Sequence, residues 1–221
     1  MMGNDDKIYK VGKSVFYLPE AETDCIQRSM LGGSYWDMHA HRLIDKYIKR
    51  HAVILDIGAN IGSHTIYWAM EREASKVYAF DPFNRVFDVL ARNIELNSLQ
   101  DRVFAFNVGL SDEETHAKSG NIFSGNLGST QFFKEENGDF ILKTLDSFNI
   151  TDPIDLIKID VEGHEVEVLK GGLNTITKNK PVLVIESFHR KAEVDAVLFP
   201  LGYIHIETIR KGEDYIYIHK G

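Results

Sequence analysis

Four carboxylates close four apolar runs of this chain: Asp56 in VILDIG, Asp81 in YAFDP, Asp160 in LIKIDVEG and Glu186 in VLVIES. A carboxylate there can accept hydrogen bonds from a ligand, or hold and take a proton. In an open parallel sheet the carboxyl ends of the strands border the ligand crevice, so these acids mark one mouth. Asp56 is followed by a turn through Gly58, Asn60 and Gly62. Neither glycine has a Cβ, so the chain can turn tightly and approach a bound group, as at the nucleotide end of an α/β domain. The third run opens into the densest polar cluster, Lys158, Asp160, Glu162, His164 and Glu165. Burying charge without partners is costly, so the cluster must form a paired network or face a polar cleft. Asp160 could orient an acceptor hydroxyl or a base, and His164, with a reference pKa near neutrality, suits the taking of a proton. In IESFHR, Glu186 could bind an acceptor hydroxyl and His189 could be the base instead. Structural alternatives are a Lys158–Asp160 salt bridge, a Glu186–Arg190 pair, Asp56 as a turn cap and Asp81-Pro82 as a simple loop start.

These residues need a sheet to hold them. Val53 to Ile57 reads as a strand covered on both faces, followed by a helix from Ser63 to Met70. Lys76 to Phe80 is the next strand, Asn84 to Leu96 a helix, Val103 to Val108 a strand. Then come Ile154 to Ile159, a helix from Glu165 stopping at Gly171-Gly172, Val182 to Glu186, and a short helix from Lys191 to Leu198. Repeated βα units with right-handed crossovers give a doubly wound parallel sheet. Tyr203 to Ile209 and Tyr215 to His219 read as an antiparallel hairpin, with Arg210, Lys211 and Gly212 in its turn. A sheet finished this way is the commonest arrangement of methyltransferases that use S-adenosylmethionine. Upstream, a strand pair spans Tyr9 to Leu18, and a helix runs from Trp36 or Asp37 to Ile48. Residues 1–35 read as an N-terminal appendage or cap, and 36–221 as the main domain. Residues 111–145 form a polar variable stretch in which Ile122, Phe123, Phe132 and Phe133 favour an ordered loop or hairpin over disorder.

A chain of 221 residues, 43% hydrophobic and 26% charged, fits one soluble globular domain. Its net charge of −8, without a dense Lys and Arg run, disfavours a nucleic-acid partner. No long uncharged apolar stretch suggests a membrane partner, and the first residues lack the pattern of a secretory signal, so a cytoplasmic location is expected. The single cysteine, Cys25, excludes an internal disulfide and has no catalytic context.

The sequence resembles the FkbM-type methyltransferases. The likeness rests on VILDIGANIGSHT at Val53 to Thr65, FDP at Phe80 to Pro82, N-x-GLS at Asn107 to Ser111 and LIKIDVEGHEVEVLKG at Leu156 to Gly171, and it covers about residues 50–190. It implies a class I Rossmann-like, doubly wound seven-stranded sheet, S-adenosylmethionine as cofactor and methylation of a hydroxyl oxygen. By the same likeness Asp56, Gly58, Asn60 and Gly62 surround the methionine part of the cofactor. Asp81 takes the position that receives both ribose hydroxyls, where the family more often has Glu; a carboxylate can accept two charge-assisted bonds from a vicinal diol. Asn107 and Val108 could frame the adenine. Ser129, within Gly128-Ser129-Thr130, falls where the family often has a Gly-Ser pair closing toward the cofactor. Asp160 occupies the position nearest the methyl end, whereas His164 stands where the family often has another residue.

No required metal is expected, because the chain lacks the adjacent acidic-amide pair of metal-dependent catechol-type enzymes, although Asp160, Glu162 and Glu186 offer suitable oxygens. The acceptor is read as a sugar hydroxyl first, then a small natural-product hydroxyl, and exposed apolar residues near the N-terminus would suit a homodimer. Two other readings are a nicotinamide-dependent oxidoreductase and a non-catalytic cofactor-binding partner protein. Against the oxidoreductase stand the IDVEGHE strand end, the terminal hairpin and the want of a Tyr-x-x-x-Lys pair.

Overall fold

The structure, a computed structural model, describes residues 7–209 and 213–221. It is built on a seven-stranded sheet. Its parallel strands are β3 (Val53–Ile57), β4 (Lys76–Phe80), β5 (Val103–Phe106), β10 (Leu156–Ile159) and β11 (Val182–Glu186), with β12 (Tyr203–Ile209) and β13 (Asp214–His219) at one edge. The order is β12-β13-β11-β10-β3-β4-β5. Every central pairing is parallel, and β13 runs antiparallel to both β11 and β12. The sheet and terminal hairpin expected from the sequence are therefore present. The expected hairpin turn at Arg210, Lys211 and Gly212 lies outside the described residues.

Period-two alternation divides the core. Ile54, Val77, Leu156, Val184 and Ile216 pack on one face, with α3 (Ser63–Met70) and α4 (Asn84–Leu96). Leu55, Ile57, Ile157, Ile159 and Ile185 face the other way, against α5 (Glu165–Gly171), α6 (Leu173–Asn179) and α7 (Lys191–Leu198). The N-terminal hairpin, β1 (Ile8–Val11) and β2 (Ser14–Tyr17), joins the first cluster through Val11, Phe16 and Leu18. Asn93 of α4 fixes it there. Its Oδ1 accepts from the Tyr17 amide at 2.7 Å, while its Nδ2 donates to the Ile61 carbonyl at 2.9 Å, so one buried side chain ties hairpin to glycine-rich turn.

Three boundaries differ from the sequence reading. The helix expected to reach Ile48 is α2 (Met38–Ile44), capped by Asp37, whose Oδ1 accepts from the Ala40 amide. The third strand stops at Phe106 rather than Val108, and the fourth begins at Leu156 rather than Ile154. The variable stretch is a small sheet of order β6-β9-β7-β8, with β6 (Gly109–Leu110), β7 (Thr115–Ser119), β8 (Phe132–Lys134) and β9 (Phe140–Lys143). Of the apolar residues expected to order it, Phe132 packs edge-to-face on Phe83 and Phe140. Ile122, Phe123 and Phe133 are exposed, so Leu110, Ala117 and Leu142 supply its buried side instead. Among the described residues no helix is long and apolar enough to cross a membrane.

Candidate active site

At the carboxyl ends of β3, β4 and β10 lies a cavity of about 220 Å³. Its floor begins at Gly58, whose φ of +79° belongs to the left-handed region. A Cβ built there would stand 1.8 Å from the Asp160 carbonyl oxygen, so only glycine lets β3 and β10 end side by side. Asn60 lies on the wall with positive φ, and its amide donates to Asp81 Oδ2 at 2.8 Å. Asp81 Oδ1 accepts from the Phe83 amide at 2.9 Å. Burial pushes the Asp81 carboxyl up to about 6, against the opposing pull of those two amides.

Gly62, Asn107 and Asp56 do not reach the cavity wall. Gly62 opens α3 in the left-handed conformation, where a Cβ would meet Leu90 Cδ1 at 2.6 Å. Asn107 is exposed and supports Asp81 from behind, donating from Nδ2 to its carbonyl at 3.0 Å, while Val108 does line the cavity. Asp56 is fully buried: its Oδ2 accepts from Thr65 Oγ1 at 2.5 Å and its Oδ1 lies 3.5 Å from Lys158 Nζ. The contacts of Asp56 are thus internal, since it shares the strand face of Ile54 and points under α3.

Lys158 is the hub of the polar cluster. Its ammonium lies 3.2 Å from Asp160 Oδ2 and donates to the Gly58 carbonyl at 3.1 Å. Burial alone would lower its pKa, but Asp160, Asp56 and Glu186 hold it above the ordinary value, so it remains a cation. Asp160 and Glu186 both face the cavity. His164 also lines it, yet its Nε2 is bonded to Ser111 Oγ at 2.9 Å and its Nδ1 lies 3.8 Å from Glu167 Oε2. Burial keeps the imidazole below its ordinary pKa. His189 is exposed and off the wall; Arg190 beside it binds Glu167 in bidentate fashion, at 2.7 and 3.1 Å.

The roof comes from Asn126 to Thr130 and is held by α1 (Cys25–Met30). Asp24, buried at the cap of α1, accepts from the Gln27 amide with Oδ1 and from the Leu127 amide with Oδ2, both at 2.9 Å. Cys25 donates its amide to the Gly125 carbonyl. Gly128 and Thr130 face the cavity, whereas Ser129 turns away and donates its hydroxyl to the Asn126 carbonyl.

Among the wall residues that sequence reasoning did not find are Trp36, His64, Phe83, Val86 and Asn126. His64 carried a signal, standing in the first turn of the helix that the glycine turn opens. Trp36 and Asn126 come from distant segments and carried none. Among the described residues no group of three His, Cys, Asp or Glu is arranged to hold a metal ion.

Comparison with known proteins gives this architecture a family. The model of the methyltransferase FkbM domain matches residues 56–210. The hexuronic acid methyltransferase AglP of Haloferax volcanii is 28% identical, over 65% of this chain and 59% of its own length. The 2-O-methyltransferase NoeI of Sinorhizobium fredii is 29% identical, over 65% of this chain and 67% of its own. Methyltransferase sdnD of Sordaria araneosa is 30% identical, over 53% and 59%. The chain thus spans about three-fifths of the length of the curated relatives it matches. Among solved structures, the methyltransferase FkbM of Methylobacillus flagellatus KT superposes with a TM-score of 0.56 at 17% identity, covering 78% of this chain and 44% of that one. A protein of the NADB-Rossmann superfamily from Streptococcus agalactiae gives 0.56 at 14% identity, covering 80% and 66%; at such identities the likeness speaks for the fold. The chain belongs to the methyltransferase FkbM domain family.

Proposed function

We propose that this chain transfers a methyl group from S-adenosylmethionine to a hydroxyl oxygen of a sugar or similar small molecule. The observation that carries the reading is the buried Asp81 carboxylate on the wall of a cavity floored by Gly58, inside a domain of this family. The wall suits the donor: Asp81 would take the ribose hydroxyls, the turn from Gly58 to Asn60 would border the methionine part, and Val108 with Phe83 and Val86 would receive the base. When bound, the donor supplies a methyl group activated on a sulfonium. Asp160 and Glu186 would orient the acceptor hydroxyl and one of these carboxylates would take its proton as the O–CH3 bond forms and the S–CH3 bond breaks to leave S-adenosylhomocysteine; Lys158 would fix Asp160, and the wall would exclude water. His164, engaged by Ser111 and Glu167, is read as part of the wall rather than as the proton acceptor.

The names of AglP and NoeI, one a hexuronic acid methyltransferase and the other a 2-O-methyltransferase, favour sugar hydroxyls. Incubating the protein with the donor and a panel of methyl glycosides, uronic acids and polyols tests this by mass spectrometry. A product heavier by one CH2 group is expected with at least one sugar; conversion of none, by protein that binds the donor, would reject the acceptor class. Asp160→Asn should lower turnover on the order of tenfold with little change in donor affinity, because it perturbs orientation and not the donor's binding contacts.

A pH dependence follows from Asp81. Its carboxyl, at about 6 in the fold, is protonated below that value and then loses its charge-assisted bonds. Donor affinity should rise with pH and level off above about 7, with roughly tenfold weaker binding at pH 5 than at pH 8. Stability has the opposite sign. A folded-state pKa raised above the unfolded one makes the stability contribution of Asp81 fall as pH climbs from about 4 to about 6. Calorimetric titration across this range checks the first, and thermal melts the second.

A further inference from the structure

Strand order separates the crevice into two halves. From β3 the chain places β4 and β5, with Asp81 and Val108 at their ends, on one side, and β10 and β11, with Asp160 and Glu186, on the other. Trp36 lines the main cavity beside the start of α3, between the two halves. Its amide donates to Ser63 Oγ at 3.0 Å, anchoring it beside the residue that precedes His64. The next residue, Asp37, lines a recess of about 10 Å³, room for roughly one water or hydroxyl, together with His64, Lys158, Asp160, Glu186 and Asp214. His64, Lys158, Asp160 and Glu186 border both recess and main cavity, so on the methyl-transfer reading their junction is where an acceptor hydroxyl would meet the donor's reactive end. Trp36 is half-buried: it packs against the core and lines the main cavity.

An indole beside carboxylates is a recognisable chemistry. A pyranose presents an apolar face of C–H groups and a rim of hydroxyls; the flat ring receives the face, and the carboxylates accept from the rim. We propose that Trp36 is the stacking platform for a pyranose ring of the acceptor, setting one ring hydroxyl toward the recess shared by Asp160 and Glu186. The assignment rests on the hydroxyl-methylation reading above and narrows its acceptor to cyclic sugars. It gives the segment before α2 a part in substrate choice.

The chain has two tryptophans: Trp36 lines the cavity, whereas Trp68 is fully buried and senses it only through His64, whose ring lies 5.5 Å away, so comparison with Trp36→Phe isolates the Trp36 signal. The full-length protein saturated with S-adenosylhomocysteine is titrated with methyl α-D-glucopyranoside, methyl α-D-glucuronoside and, as an acyclic control, sorbitol, following tryptophan fluorescence. A saturable change with at least one pyranoside and none with sorbitol is expected. Trp36→Phe should remove most of the optical change yet retain pyranoside affinity by calorimetry within a few-fold. Trp36→Ala should weaken that affinity about tenfold or more. No response to either pyranoside, an equal response to sorbitol, or a signal undiminished in Trp36→Phe would each overturn the platform. A fluorescence change already complete on adding S-adenosylhomocysteine alone would place Trp36 on the donor side and overturn it as well. Calorimetry with the nucleoside keeps the two readings apart: donor-class binding without a pyranoside response rejects this proposal and leaves the methyltransferase reading standing.

Discussion

Replacing Asp81 with Ala should weaken S-adenosylmethionine binding on the order of a hundredfold to a thousandfold. The carboxylate stands at the end of β4, buried but on the cavity wall, with each oxygen already accepting one backbone amide. A carboxylate oxygen has room for a second hydrogen bond, so both can still serve a vicinal diol. Hydrogen bonds to a charged group contribute about 1.5–3 kcal/mol each, and two of them at the lower end give roughly 3–4 kcal/mol. That range corresponds to the stated loss at about 1.4 kcal/mol per tenfold. Asp81→Asn keeps one acceptor oxygen and removes the charge, so its loss should fall between wild type and Asp81→Ala. Because Asp81 also holds the amides of Asn60 and Phe83, melting curves must accompany the calorimetry. A folded Asp81→Ala protein with unaltered donor affinity would remove the ribose assignment.

Lys158→Met should be the most damaging change to the fold among those considered. It leaves Asp56 with no exposed surface, one hydroxyl partner and no neighbouring cation. Breaking a buried ion pair from one side costs about 3–5 kcal/mol because the remaining charge is stranded. In a domain of this size each kcal/mol moves Tm by roughly 2–4 °C, so a fall on the order of 10 °C is expected. Burial already raises the Asp56 carboxyl, opposed by Lys158 and then Thr65, and removing the cation raises it further. The loss should therefore shrink at acid pH, where Asp56 is protonated in the folded variant. Adding Asp56→Asn to Lys158→Met should restore most of the Tm, since the stranded charge is gone. A single variant melting within 2 °C of wild type would contradict the role given to this pair.

The sheet was readable because its central strands are apolar runs covered on both faces, each broken by an acid or a turn where the crevice begins. The small β6-β9-β7-β8 sheet was not, because its strands are two to five residues long and bury one side only. There Phe133 and Phe132 are adjacent, and nothing local says which one turns inward. The same parity governs the acids. Asp56 shares the face of Ile54 and goes under α3, and this could have been read from period-two alternation; Asp81 comes after the last residue of β4 and is free of it. Gly58, Asn60, Val108, Asp160, His164 and Glu186 reach the cavity alongside Asp81 because they stand at strand ends or in the turns just after them. Ser129 ends a single 3-10 turn and His189 lies in a loop, where one residue of rotation decides whether a side chain faces in or out. Trp36 and Asn126 arrive by tertiary contact alone, through Ser63 in one case and the α1 clasp in the other.

Calorimetry of the purified protein with S-adenosylmethionine, run beside NAD and NADP under identical conditions, tests the central claim most directly. Saturable one-to-one binding of the methyl donor, with no heat from either dinucleotide, is the predicted result. Binding of a nicotinamide dinucleotide, or no binding of the donor by folded protein, would contradict it.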